Sequence, residues 1–501
     1  MKPGMRPRCT VRAGVMLAAC ALLAACAVGP DYQKPTPPAD LPVSWKLEAP
    51  WRTGTPRDTD DKSAWWQRYG DARLNGLMQQ AQSDNATLAV ASARVAQARA
   101  SMDAAGAAQY PQLGVGGRAS RLKISANRPL TNYAVNNQAT VQNDFALSLI
   151  ASYEIDLVGR VRRSVEAATA SAEQAEADYQ NTRLLLSADL ASAYFNLRAT
   201  DIELDVVARS IALQRRALEL VSARHELGAV SGLDVAQQQA LLDNTLTQVD
   251  VLQRQRGIYQ DAIATLVGTP APAFELPTDI TQLIAPAIPL GLPSDLLERR
   301  PDVAAAERAM AAANAQIGVA TAAFFPSVSL LPTVGVDSNR IGALFDANSV
   351  LWSLGVSATQ VLFDGGRIRA NVDFSRAGYD ATVANYRRVV LQAMQEAQDG
   401  ITGLAALDRA TAQSLNAVAA ARRVLDMAAA RYEGGAASFL DVITAQQALL
   451  NIERQSVQLR GQQLAVSVFL IKALGGDWCG GDVPSPRTGC PAPAPQVVGT
   501  R

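Results

Sequence analysis

Few residues of this chain are of types and at spacings that do chemistry. It has one histidine and five cysteines in 501 residues, and no histidine or cysteine cluster stands at metal-ligand spacing. No glycine-rich phosphate loop follows a strand pattern and no Gly-x-Ser-x-Gly elbow occurs, which argues against nucleotide and serine-hydrolase chemistry. Gly365-Gly366 reads instead as a turn that opens a helix. One covalent reaction is legible. Lys2, Arg6, Arg8 and Arg12 precede an apolar stretch over 13–25, too short to span a membrane as a stable helix, and Leu23-Ala24-Ala25-Cys26 closes it. That order reads as a lipoprotein signal, cleaved to leave Cys26 as a diacylated N-terminus. Leu17-Ala18-Ala19-Cys20 repeats the pattern upstream, but cleavage there would leave apolar 21–25 on the mature chain. An ordinary secretory signal with an incidental cysteine is the other reading. Cys479 and Cys490 then remain in a Gly/Pro-rich tail, as one disulfide or as two free thiols.

The remaining candidates are carboxylates inside a repeat. Residues 223–235 read ARHELGAVSGLDV and residues 430–442 read ARYEGGAASFLDV, identical at nine of thirteen positions and 207 residues apart. An internal duplication is required. His225 stands where the other copy has Tyr432, so a catalytic or metal role for it finds no support. Gly228 and Gly435 permit a chain reversal, Ser231 and Ser438 read as helix caps, and Asp234 and Asp441 fall in the following first turns, where the helix dipole favours a negative charge. A hairpin turn with caps explains most of this block.

The elements that position these blocks are long. No glycine occurs over 160–227 and no proline over 130–269, so nothing breaks a helix that would reach ~100 Å. The second half has no proline over 333–483 and tolerates Gly378, Gly400 and Gly403, which leaves it freer to bend. Residues 233–267 and 440–474 read as return helices, making each half a long antiparallel helical hairpin with the repeated block at its tip. Elsewhere the period switches to two. Phe145, Leu147, Leu149, Ala151, Tyr153 and Ile155 alternate with mostly small or polar residues, as do Trp352, Leu354, Val356 and Ala358. With Leu113, Val115 and Gly117, and Val328, Leu330, Val334 and Val336, each half supplies two strands. The fold class is α+β and helix-dominated, duplicated, with four strands per chain. Four strands do not close, so the sheet either packs on helices or joins other chains in a membrane barrel, where closure removes the edges.

Formal net charge is zero and no low-complexity charge run appears, which disfavours a nucleic-acid partner. Six prolines between 270 and 293 mark an irregular connector. The expected organisation is a signal peptide over 1–25, a lipidated segment over 26–70, repeats over 71–268 and 294–476, a linker over 269–293 and a flexible tail over 477–501.

At this point the chain resembles the outer-membrane factors, the TolC-like channels, and specifically the lipidated subgroup serving multidrug pumps. The resemblance rests on Cys26-Ala27-Val28-Gly29-Pro30-Asp31-Tyr32, Tyr153-Glu154-Ile155-Asp156-Leu157-Val158-Gly159-Arg160, Leu292-Pro293-Ser294-Asp295-Leu296-Leu297-Glu298-Arg299-Arg300-Pro301-Asp302-Val303, Leu362-Phe363-Asp364-Gly365-Gly366-Arg367 and Lys472-Ala473-Leu474-Gly475-Gly476. It implies a homotrimer forming a twelve-stranded outer-membrane barrel continuous with a twelve-helix periplasmic tunnel. It also implies a periplasmic adaptor and a proton-driven inner-membrane pump of the RND class as partners, with no enzymatic activity and no cofactor. Ala27 is not the acidic residue that retains enteric lipoproteins in the inner membrane, in keeping with outer-membrane delivery. The tips would meet the adaptor and constrict the tunnel, with Arg224 and Arg431 in tip-to-tip or adaptor contacts. Asp441, after Leu440, matches a family gate acid, while Thr444 stands where many members carry a second acid, so a double acidic ring is not carried over. Metal-ion efflux and type I protein secretion are alternatives within the family. A periplasm-spanning structural lipoprotein without a pore is the alternative outside it, and leaves the strands unexplained.

Overall fold

The computed structural model describes residues 27–33, 62–127, 139–281, 284–288 and 300–476; Cys26, Cys479 and Cys490 lie outside them. After a 3-10 helix, Lys62–Tyr69, the first half runs α1 (Ala72–Asp84), α2 (Ala86–Ala107), β1 (Gln112–Ile124), β2 (Thr140–Ile155), α3 (Arg160–Glu226) and α4 (Gly232–Leu266). The second half runs α5 (Pro301–Ala322), β3 (Ser327–Ser338), β4 (Val350–Thr359), α6 (Arg367–Glu433) and α7 (Phe439–Ala473). Both long helices have 67 residues and both return helices 35. α6 continues through Gly378, Gly400 and Gly403. At Gly400 the missing side chain serves close packing, since a Cβ there would come within 3.0 Å of Leu470 on α7.

The chain divides into two compact units, and the first, Met1–Pro35, Arg94–Ala175 and Ala306–Tyr386, contains the sheet. Its order is β1-β2-β3-β4, antiparallel throughout. Residues directly opposite one another share a face. Val115, Leu149, Val334 and Trp352 therefore form one apolar row across all four strands, and Gly117, Leu147, Val336 and Val350 form the next. The opposite face carries Gly114, Ile150, Thr333 and Ser353 in one row and Gly116, Ser148, Gly335 and Leu351 in another. Pro332 interrupts the β2 side of β3, where the register passes from Thr333 to Leu330, yet still pairs with Leu354 of β4. A proline is thus accommodated in an interior strand at the expense of one stretch of ladder.

The described elements of the second unit, Thr36–Ala93, Glu176–Ala305 and Arg387–Arg501, are helices. Its core includes an aromatic group in which Trp65 packs edge-on against Trp66 and Tyr69, and Tyr69 lies 4.6 Å from the Phe195 ring. Three of its polar tips have partners: Trp65 Nε1 donates to Ser187 Oγ at 3.2 Å, Tyr69 OH lies 2.6 Å from Ser467 Oγ, and Tyr194 OH donates to Asp71 at 2.6 Å. Asp71 also caps α1 by accepting the Arg73 and Leu74 N–H groups.

Each return helix ends in a clasp. Asn85, just before α2, donates to the Leu266 carbonyl at 2.8 Å and accepts the Leu88 N–H at 3.0 Å. Arg300 holds the equivalent place before α5, and its Nη1 donates to the Ala473 carbonyl at 2.9 Å. Orphan carbonyls at a helix C-terminus are thereby satisfied in both halves.

The connector after α4 is pinned by charge. Arg256 pairs with fully buried Asp201 at 2.6 Å and donates to the Leu276 carbonyl at 2.7 Å, while Arg198 meets Asp279 at 2.6 Å. The Arg198 guanidinium, with the Thr281 N–H and hydroxyl, holds the Asp279 carboxyl well below the usual carboxylate range. A carboxyl depressed in the folded state contributes stability above its unfolded pKa of about 4 and loses that contribution as pH falls through the folded value. Asp279→Asn is therefore expected to flatten the acid side of the stability profile while leaving its slope above neutral pH unchanged. Unfolding midpoints from pH 7 downward measure this; parallel acid limbs in both proteins would refute it.

Candidate functional site: the helix tips and the N-terminal segment

The first tip is built by a Schellman turn. Gly228 takes φ +71°, its N–H donates to the His225 carbonyl at 2.9 Å and the Ala229 N–H to the Arg224 carbonyl at 2.8 Å. Gly435 repeats the turn with φ +71°, bonding to Tyr432 at 3.1 Å, and Ala436 to Arg431 at 2.8 Å. Ser231 and Ser438 are the N-caps of the return helices, as their sequence positions predict. The aspartates do more than face a dipole. Asp234 accepts both the backbone N–H and the hydroxyl of Ser231 at 3.2 Å, and Asp441 accepts both from Ser438 at 3.0 Å, each completing a capping box. Asp441 is exposed and Asp234 half-buried.

The structure brings the two tips of one chain together. Val221, Leu241, Leu425, Phe439, Val442, Ile443 and Ala445 form a shared apolar core. The Arg224 guanidinium sits 5.0 Å from the centre of the Tyr432 ring, which itself packs 5.1 Å from Phe439. Arg224 is thus the tip-to-tip contact, whereas Arg431 donates to the Ala436 carbonyl of its own turn at 3.3 Å. Leu440 is half exposed, and the Thr444 hydroxyl turns back to the Leu440 carbonyl at 2.8 Å, so position 444 presents no charge.

Sequence reasoning missed how the copies diverge. His225 Nδ1 donates to the Val230 carbonyl at 3.0 Å, and a Cβ at position 232 would lie 3.6 Å from its ring. Histidine fills in the first tip the space beside Gly232, while in the second Phe439 turns inward to a core that Tyr432 covers. The one readable signal was the paired exchange of His225 with Gly232 for Tyr432 with Phe439. Among the described residues, no group of three or more histidine, cysteine or acidic side chains could hold a metal ion.

Residues 27–33 form a second site. The Val28 N–H donates to the Val158 carbonyl at 2.9 Å, and Asn314 donates to the Pro30 carbonyl at 2.9 Å. Arg163, its side chain almost fully buried, pairs with Asp31 at 2.6 Å and Glu166 at 2.8 Å. The Tyr32 hydroxyl donates to Glu307 at 3.0 Å. The segment that follows Cys26 is therefore docked on the first turns of α3 and on α5.

The outer membrane efflux protein model matches residues 77–269 and 292–476, more than half of the chain. The chain belongs to this family. Curated relatives of this outer membrane efflux protein include a pyoverdine export outer membrane protein of Pseudomonas aeruginosa, 32% identical over 470 residues and covering 92% of this chain and 96% of the relative. A toluene efflux pump outer membrane protein of Pseudomonas putida is 32% identical over 464 residues, covering 91% and 95%. The solved outer-membrane channel OprN superposes with a TM-score of 0.82 at 31% identity, over 90% of this chain and all of that one. Family members are channels. No described helix is long and apolar enough to cross a membrane.

Proposed function

We propose that this outer membrane efflux protein is the channel subunit of a tripartite efflux system, a passive conduit for drugs or other small toxic molecules. The observation that carries this reading is the sheet. Its apolar face is exposed in the single chain, with Val115 74%, Val334 56% and Trp352 76% accessible, and β1 and β4 each have one partner strand. An apolar face needs lipid and two open edges need strands. Three copies pairing β4 with β1 meet both needs, closing twelve strands around a lumen lined by the mostly small and polar face. The docked segment 27–33 supports lipid attachment at Cys26 as a second anchor. The paired tips support docking to a periplasmic adaptor that links the channel to an inner-membrane RND pump.

Mass and bilayer conductance of the protein purified from outer membranes test the reading together. A trimer with small, cation-selective conductance is expected; a monomer that keeps its fold but conducts nothing would sink it. In a trimer the Asp441 carboxylates form a ring of three that attracts cations and repels anions. Asp441→Ala is accordingly expected to lower cation selectivity and raise conductance, while loss of the capping box costs about 1 kcal/mol. Unchanged single-channel currents would remove Asp441 from the constriction.

A further inference from the structure

The duplication extends to the strands and fixes how they correspond. Pro111 immediately precedes β1 and Pro326 immediately precedes β3. Aligning these prolines lays the pair Leu113 and Ala151 on Val328 and Ala358, Val115 and Leu149 on Leu330 and Val356, and Ala119 and Phe145 on Val334 and Trp352. β2 and β4 then stand 207 residues apart, the spacing of the two tips. In the second half, therefore, β3 takes the place of β1 and β4 the place of β2.

The seam between the halves, where β2 pairs with β3, is thus a pattern for a seam between copies, where β4 pairs with β1 of the next chain. Transferred, its register sets Val356 opposite Ala119 as Leu149 is opposite Val334, Trp352 opposite Lys123 as Phe145 is opposite Ser338, and Leu362 opposite Leu113 as Ile155 is opposite Val328. The outward face of one strand continues the outward face of the other. A slip of two residues also keeps the faces, but in one direction it puts Leu362 opposite Pro111, which has no N–H to give, and in the other it puts Val356 opposite Arg121. Close approach favours the transferred register as well. Gly335 of β3 lies opposite Ser148, where a Cβ would come within 2.8 Å of the Ser148 Cα. The transferred register puts Gly355 opposite Ser120, the same pair with the glycine on the other strand. The ends, however, do not match. β2 runs to Ile155, but β4 stops at Thr359, three residues short of the equivalent Leu362. Leu362 is 90% exposed, and Leu113 at the start of β1 is 71% exposed.

We propose that β4 lengthens through Leu362 as it pairs with β1 of a second copy, in the register that β2 keeps with β3, and that Leu362 seats against Leu113 of that copy. This seam rests on the conduit reading for its three copies and adds which residues meet across it. The backbone of 360–362 gains a ladder partner, and two exposed leucines leave water together.

Disulfide trapping in the full-length protein carrying Cys479→Ser and Cys490→Ser tests the register, with that background alone as the control. Within one chain β1 and β4 lie three strand spacings apart, about 14 Å, too far for a disulfide, so any bond joins two copies. Val356→Cys with Ala119→Cys is expected to give covalent trimers on oxidation, at least about tenfold above the control and above Val356→Cys with Gly117→Cys or with Arg121→Cys, which would lie on the diagonal and out of reach. Leu362→Cys with Leu113→Cys is expected to be trapped as well as the first pair. Trp352→Cys with Lys123→Cys serves if the first pair fails to fold. A trimer by native mass that is trapped only through a slipped pair, or through none, overturns the register. One trapped through 356 and 119 but not through 362 and 113 overturns the lengthening of β4. A monomer by native mass overturns the conduit reading and this seam with it.

Discussion

Arg300→Ala is expected to cost about 3–5 kcal/mol of folding stability, because it removes a buried cation shared by two carboxylates and a helix end. Arg300 is 6% exposed and donates to Asp302 at 2.7 Å, to Glu396 at 2.8 Å and to the Ala473 carbonyl at 2.9 Å. Without it, the carboxylates of Asp302 and Glu396, both half-buried, each lose an ionic partner and the end of α7 loses its clasp. Asn85→Ala removes the equivalent clasp in the first half, but leaves only neutral groups unpaired. Its expected cost is about 1–3 kcal/mol. Denaturant midpoints of both variants in detergent provide the comparison. If Arg300→Ala cost no more than Asn85→Ala, the network around Arg300 would carry no weight beyond one helix-end hydrogen bond.

Val334→Arg is expected to abolish assembly in the outer membrane, whereas Ser353→Arg is expected to permit it and reduce conductance. Val334 lies in the middle of the apolar row, opposite Leu149 and Trp352, while Ser353 lies on the other face opposite Thr333. An arginine on the lipid face of a barrel costs ~2–4 kcal/mol near the midplane. A trimer incurs this three times. On the lumenal face the same side chain meets water and narrows the pore with positive charge. Membrane fractionation followed by bilayer recording distinguishes the two. Normal assembly of Val334→Arg, or failure of Ser353→Arg alone, would mean that the faces have been assigned backwards.

The long elements are legible in the sequence for simple reasons. Helix α3 needed only an absence of breakers, and the tips needed only a serine followed by an aspartate three residues later. The strands announced themselves by period two, though Pro332 hid the middle of β3. Helices α1, α2 and α5 went unrecognised. The alanine-rich 22-residue runs of α2 and α5 show no one-sided apolar stripe from which a period could be read. The aromatic group was invisible for a different reason, since Trp65 finds its partner 122 residues away and Tyr69 398 residues away. Asn85 and Arg300 perform one task with unlike chemistry, so comparison of the two halves passes over them. Pro30, Asp31 and Tyr32 were visible as a family motif, but their role became readable only once Asn314, Arg163 and Glu307 were seen against them.

The matched helices, 67 against 67 residues and 35 against 35, behave as a pair of rulers cut to one measure. Both tips share a core, so neither hairpin can be lengthened alone without carrying its tip past its neighbour. Seven residues inserted into α3 and into α4, two full turns in each, would drive the first tip about 10 Å beyond the second. Reach can therefore change only in fourfold steps, by the same insertion in α3, α4, α6 and α7. A channel of this kind fitted to a deeper or shallower compartment has to be recut in both halves at once.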